Sequence, residues 1–138
     1  MANGYTGNIL RVNLSDRSIK VEEPGDDFHR TYLGGRALAG YFHAKEIAPG
    51  IDPLGPENKL LFATGPLTGL AVAGGGRNSV AAKSPLTGRF GEAQVGGYFG
   101  AELKRAGFDH VIVEGVADRP VYLWVQDGQA ELRDASAL

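Results

Sequence analysis

The 138-residue chain contains no cysteine. Disulfides, a thiolate zinc site, a cysteine nucleophile and an iron–sulfur cluster held by this chain alone are therefore excluded. No uninterrupted apolar run approaches the roughly 20 residues of a membrane-spanning helix, and the N-terminal MANGYTGNILR lacks the apolar stretch of a secretory signal. A large excess of one charge is missing too: the net charge is −2, with acidic and basic residues interspersed rather than gathered into the basic patch that nucleic acid demands. These absences predict a soluble, cytoplasmic protein without nucleic-acid or membrane partners. Histidine is scarce, and His29, His43 and His110 are far apart, so each reads as a surface or hydrogen-bonded structural residue. Nothing resembles a Ser/His/Asp set or a metal triad, and no catalytic residue is assigned.

Glycine, by contrast, is abundant. Ten of the 21 glycines lie between Gly65 and Gly100, interrupted by Arg77, Lys83 and Arg89. Glycine lets backbone N–H groups approach a ligand without an intervening Cβ, and the three cations can neutralise phosphate. A large anionic ligand is the expected occupant. Gly96 and Gly97 lead into a helix expected over Tyr98 to Ala106, whose first N–H groups lack intrahelical partners and attract anions. Neither the dinucleotide fingerprint nor GxxxxGK[ST] is present. Glycines needed only for tight turns would give the same composition. Glu92 and Glu102 are placed to approach a ligand, although salt bridges to Arg89 or Lys104 explain them equally well.

The rest of the chain reads as strands paired mostly by hairpins, with two or three helices. A hairpin spans residues 7 to 22, Asp26 or Asp27 caps a short helix ending at Gly34-Gly35, and a second helix runs from about Arg36 to Ile47. The proline-rich segment 48 to 58 is an ordered loop before a strand at Lys59 to Thr64. Strands follow at Val111 to Glu114, Val121 to Val125 and Gln129 to Asp134, the last two joined by Asp127-Gly128. Tyr122 and Trp124 share one strand face and read as core. PLTG occurs at 66 to 69 and again at 85 to 88, as a repeated turn or by chance. No linker divides the chain, so residues 1 to 138 form one domain, and the closing LRDASAL reads as cut rather than finished. The fold class expected is α+β, with stacked antiparallel or mixed sheets and helices packed outside.

The ordered blocks YTGNILRVNL, YLGGRALAGY, DPLGPENKLLFATGPLTG, GGGRNSVAAKSPLTGRFG, GGYFGAELKRAGFDHVIVEG and RPVYLWV resemble the N-terminal domain of the aldehyde ferredoxin oxidoreductase family. The resemblance implies a base for a tungsten or molybdenum bis-pterin centre. It matches Arg77 to an arginine on a pterin phosphate, and Gly96 and Gly97 to glycines where backbone approaches the cofactor. Gln94 stands where an asparagine main-chain carbonyl holds magnesium between the two phosphates, so Gln94 is also the metal-site expectation. Lys83 and Arg89 are weaker electrostatic candidates.

The iron–sulfur cluster and the acid/base residues of such enzymes lie in domains this sequence lacks, so it is expected to be inactive alone. The implied parent interconverts aldehyde and carboxylate with ferredoxin as electron partner. The same cofactor acting on another substrate, such as an aromatic thioester, is one alternative. A non-catalytic module that binds a phosphorylated ligand or serves assembly is another. An exposed sheet edge would allow a homo-oligomer.

Overall fold

The computed structural model describes residues 4–138. Among them are strands β1 (Ile9–Asn13), β2 (Ile19–Glu22), β3 (Lys59–Thr64), β4 (Asn78–Lys83), β5 (Phe90–Val95), β6 (His110–Glu114), β7 (Val121–Gln126) and β8 (Gln129–Asp134). The helices are α1 (Asp26–Tyr32), α2 (Gly35–Glu46) and α3 (Phe99–Arg105). Six strands form a mixed sheet in the order β2-β1-β6-β3-β4-β5, and β7 pairs with β8 in a second sheet. Neighbours along the chain pair antiparallel, whereas β1 lies parallel to β6 with Ile9 opposite His110. This is the α+β arrangement expected of the sequence.

Both faces of the large sheet are covered, which explains why apolar alternation in β1 is imperfect. Ile9, Leu61, Ala63, Ala81 and Ile112 face α2, meeting Leu38, Ala39 and Phe42. Leu10, Val12 and Val111 face the other way and pack with Leu103 of α3, Phe108, and Leu123, Val125 and Leu132 of the β7–β8 sheet. Burial of a side chain such as Phe108 stabilises the fold by about 1.5–3 kcal/mol.

Hairpin β7–β8 turns at Asp127 (φ 49°) and Gly128 (φ 77°), the paired positive φ values of a tight two-residue turn. Its alternation is as read but of opposite sense. Leu123 and Val125 face inward, while Tyr122 is exposed and Trp124 lies under the Arg133 guanidinium, 4.2 Å from the ring centroid. Asp26 and Asp27 do not cap α1; Gly25 holds the N-cap position and both carboxylates sit in the first turn, where the helix dipole favours them. Both PLTG segments follow a strand after one intervening residue, but their turns close differently. Thr68 N donates to Gly65 O at 3.1 Å, and Gly88 N donates to Ser84 O at 2.8 Å.

Strands β4 and β5 run through the glycine-rich region, where the sequence reading places a ligand but no strand. Their small residues suit a sheet pressed against α2, as Ala81 does. Two of the histidines, His29 and His110, are neither at the surface nor hydrogen-bonded as expected, while His43 is half-buried. His29 and His110 are buried and stacked at 6.0 Å, and none of their ring nitrogens has a partner.

Candidate functional site

The ends of three strands meet the start of α2 at one edge of the sheet. A pocket of about 180 Å³ lies there, lined by Gly34, Gly35, Arg36, Arg77, Asn78, Ser79 and Gln94 among others. Register sets this gathering. Ser79 faces Gln94 and Asn78 faces Val95 across β4 and β5, so Arg77, Gln94, Gly96 and Gly97 all fall at the same end of the pair.

Lys83 pairs with Phe90 at the opposite end, about 17 Å away at the usual rise per strand residue. The structure therefore does not bring Lys83 or Arg89 to the pocket. Lys83 is buried and its Nζ donates to Ile51 O at 3.0 Å, while Arg89 lies in the turn between the strands.

Glycine plays two distinct parts here. A Cβ on Gly75 would stand 2.5 Å from Leu70 O, and one on Gly76 would stand 2.7 Å from Gly97 O, so these two permit close backbone packing. Gly96 and Gly97 have nothing within 4 Å of the same position, and Gly97 has φ 97°. The first pair serves the turn, and the second pair leaves open space. Thr68 holds the loop: its hydroxyl donates to Arg77 O at 2.9 Å and accepts from Gly65 N at 2.9 Å.

The start of α2 is anchored by backbone that only glycine allows. Gly34 has φ 127°, and a Cβ there would stand 2.2 Å from Thr64 O. Leu33 precedes it with φ 57°, its carbonyl accepting from the Tyr5 hydroxyl at 2.7 Å. The sequence points instead to the start of α3 for anion attraction, but α3 has only seven residues and none of them lines the pocket.

Electrostatics at the edge are positive. Arg77 is exposed. Glu92 does not meet Arg89 but accepts from Ser79 Oγ at 2.7 Å and pairs with Arg36 at 2.8 Å. The Ser79 hydrogen bond, followed by Arg36, holds the Glu92 carboxyl below its usual range. Glu102 pairs with Arg105 rather than Lys104. A larger cavity of about 380 Å³ lies elsewhere, between α3 and the β7–β8 sheet, and is almost wholly apolar, with Glu102 as its one charged neighbour. It is unsuited to an anion. Among the described residues, no group of three or more His, Asp or Glu side chains is arranged to hold a metal ion, and no helix is long and apolar enough to cross a membrane.

Residues 9–138 match the family model described as the aldehyde ferredoxin oxidoreductase N-terminal domain. The chain is 58% identical over 133 residues to a tungsten-containing aldehyde ferredoxin oxidoreductase of Pyrococcus horikoshii, covering 96% of this chain and 22% of that protein. It is 38% identical to the WOR-like subunit of an aliphatic sulfonate oxidoreductase of Pyrococcus furiosus, over 96% of this chain and 21% of that one. It also superposes on the active-site complex of benzoyl coenzyme A reductase bound to 1,5-dienoyl-CoA. That match has TM-score 0.94 and 34% identity, over 99% of this chain and 21% of the other. The chain thus spans about a fifth of the length of these relatives. With a family match over nearly its whole length and identities above half, the chain belongs to the aldehyde ferredoxin oxidoreductase N-terminal domain family.

Proposed function

We propose that this chain is the cofactor-seating part of a tungsten pterin oxidoreductase that interconverts aldehydes and carboxylates, with ferredoxin as electron partner. The observation that carries the reading is the convergence at one sheet edge of an unpaired, exposed Arg77, open space over Gly96 and Gly97, and the Gln94 backbone. These features fit a flat, phosphorylated pterin: Arg77 neutralises a phosphate, and the two glycines let its edge approach the main chain. The Gln94 carbonyl is the group suited to a magnesium ion between phosphates, since that contact runs through the backbone and tolerates glutamine.

When bound, the metal–pterin centre supplies the two-electron chemistry. The chain's own residues bind and orient it. Iron–sulfur ligands are absent, because the sequence has no cysteine, and they belong to the remainder of the full-length protein. The higher identity to the tungsten-containing aldehyde enzymes, 58% against 34% for the benzoyl coenzyme A reductase complex, favours aldehyde over thioester as substrate. The test is elemental analysis of the full-length protein together with fluorescence of its oxidised pterin. About two pterins per tungsten supports the reading; neither metal nor pterin overturns it in favour of a phosphate-binding or assembly module.

A further inference from the structure

The corner between α1 and α2 is strained, and it borders the pocket. Leu33 has φ 57° and ψ −42°, and Gly34 N donates to Tyr32 O at 2.6 Å across it. A hydrogen bond between residues two apart, closed over a central residue of positive φ and negative ψ, makes the rare and strained form of γ-turn. The leucine Cβ opposes that conformation. Leu33 is also 58% exposed, so burial of its side chain does little to offset the strain. Such a turn persists only where its surroundings over-determine it. Leu33 and Gly34 both line the pocket, and α2 starts from this corner.

The N-terminal arm holds the turn. The Tyr5 hydroxyl donates to Leu33 O at 2.7 Å and lies 3.4 Å from His29 O, which accepts from Leu33 N. Leu33 O belongs to the Leu33–Gly34 peptide, so the bond fixes that planar unit and with it the Gly34 N–H of the turn. The arm is itself fastened independently of the corner. Thr6 N, Thr6 Oγ1 and Gly7 N all donate to Oδ2 of the buried Asp109, at 2.9, 3.0 and 2.8 Å, and Lys104 Nζ donates to Gly4 O. The Tyr5 ring stacks on His29 at 4.8 Å. Its hydroxyl is therefore presented to the corner from a rigid mount.

We infer that Tyr5 is a positioning residue of the candidate site: its hydroxyl holds the Leu33–Gly34 peptide in the strained turn and so sets the pocket wall formed by Leu33, Gly34 and the start of α2. That the wall serves a pterin cofactor rests on the reading above, whereas the hold of Tyr5 on the wall rests on this chain's own geometry.

Two substitutions test it. Tyr5→Phe keeps the ring on His29 and deletes only the hydroxyl, and Leu33→Gly removes the Cβ that opposes the turn. Tyr5→Phe should speed hydrogen exchange of the Gly34 amide in the isotopically labelled chain about 2- to 12-fold, the equivalent of one neutral hydrogen bond. Adding Leu33→Gly should restore the protection. In full-length protein made under limiting tungstate, Tyr5→Phe should lower tungsten and pterin content by a similar factor, with Tm reduced by no more than about 5 °C, and the double variant should recover the content. A residue that served folding alone would not be rescued by a glycine at the turn. Unchanged Gly34 exchange in Tyr5→Phe, or a double variant no better protected than Tyr5→Phe, overturns the inference. Faster exchange at wild-type tungsten and pterin content overturns the positioning role and leaves the cofactor reading standing. Wild-type full-length protein free of tungsten and pterin sinks the cofactor reading; rescue of Gly34 exchange by Leu33→Gly then still supports the hold of Tyr5 on the wall, and its failure overturns it.

Discussion

Replacing Arg77 with alanine separates binding from folding more cleanly than any other change in this molecule. The residue is exposed, and its guanidinium makes no hydrogen bond or ion pair among the described residues; only its backbone is held, by Thr68 and Gly74. Its removal should alter stability by no more than about 0.5 kcal/mol, a shift of roughly 1–3 °C in Tm for a domain of this size. A hydrogen bond to a charged group contributes about 1.5–3 kcal/mol, so losing it should weaken cofactor retention about 10- to 150-fold. Arg77→Lys keeps the charge without the planar fork and should fall between the two. The assay is tungsten and pterin content of full-length protein made under limiting tungstate, beside thermal melts. Wild-type content in Arg77→Ala refutes the phosphate role. A melt lowered by 8 °C or more refutes the claim that the side chain is free of the fold.

Gly34→Ala should destabilise by several kcal/mol, roughly 3 or more, because its Cβ would lie 2.2 Å from Thr64 O at φ 127°; a denaturant midpoint within error of wild type contradicts this. Burial, together with the nearby His29 and Lys104, pushes the His110 imidazole down to about 3. The unfolded chain therefore binds the extra proton first, and the stability this contributes is complete above about pH 6.5 and is lost as pH falls toward 3. The loss amounts to at most roughly 5 kcal/mol. His110→Leu should flatten the pH dependence of Tm between pH 3 and 6.5, and an unchanged slope rejects the assignment. Arg11 pairs with Glu22 at 2.6 Å, Glu46 at 2.9 Å and Glu114 at 3.4 Å, with its side chain 15% exposed. Arg11→Met should cost about 3–5 kcal/mol at neutral pH and less in acid, where Glu46, no longer held below its usual range by Arg11, takes up a proton; a pH-independent loss points to packing alone.

Much of the framework was readable because local chemistry and tertiary structure agreed. The Asp127-Gly128 turn, the strand before Gly65 and the amphipathic α2 all follow from neighbouring residues. β4 and β5 are not readable, since Gly91, Ala93 and the small residues of NSVAAK have weak strand preference; pairing within the sheet, with α2 covering β4, makes them strands. The pairing of β1 with β6 depends on residues a hundred positions apart, beyond any local pattern. The four residues proposed to seat the cofactor, Arg77, Gln94, Gly96 and Gly97, come from the family resemblance and gather at one end of the β4–β5 pair. Lys83, at the far end of β4, and Arg89, in the turn beyond it, are cations of the same glycine-rich stretch but lie away from the pocket. The start of α2, which borders the same pocket, has its local sign in Gly34-Gly35-Arg36, a helix start with no capping side chain or acidic first turn. The His29–His110 stack had no such sign.

The parallel pairing of β1 with β6 also bears on how the chain acquires its shape. β6 lies between β1 and β3, so the hairpin of residues 9 to 22 has no sheet to join until His110 to Glu114 arrive. At about 5–20 residues per second on the ribosome, that wait lasts roughly 5–20 s. During it the hairpin exposes both apolar faces, Ile9 on one side and Leu10 and Val12 on the other. Such non-local closure is slow and leaves the nascent chain open to wrong partners. The step that inserts β6 is thus the point at which the two halves of the domain become one, and the time at which a chaperone would matter most.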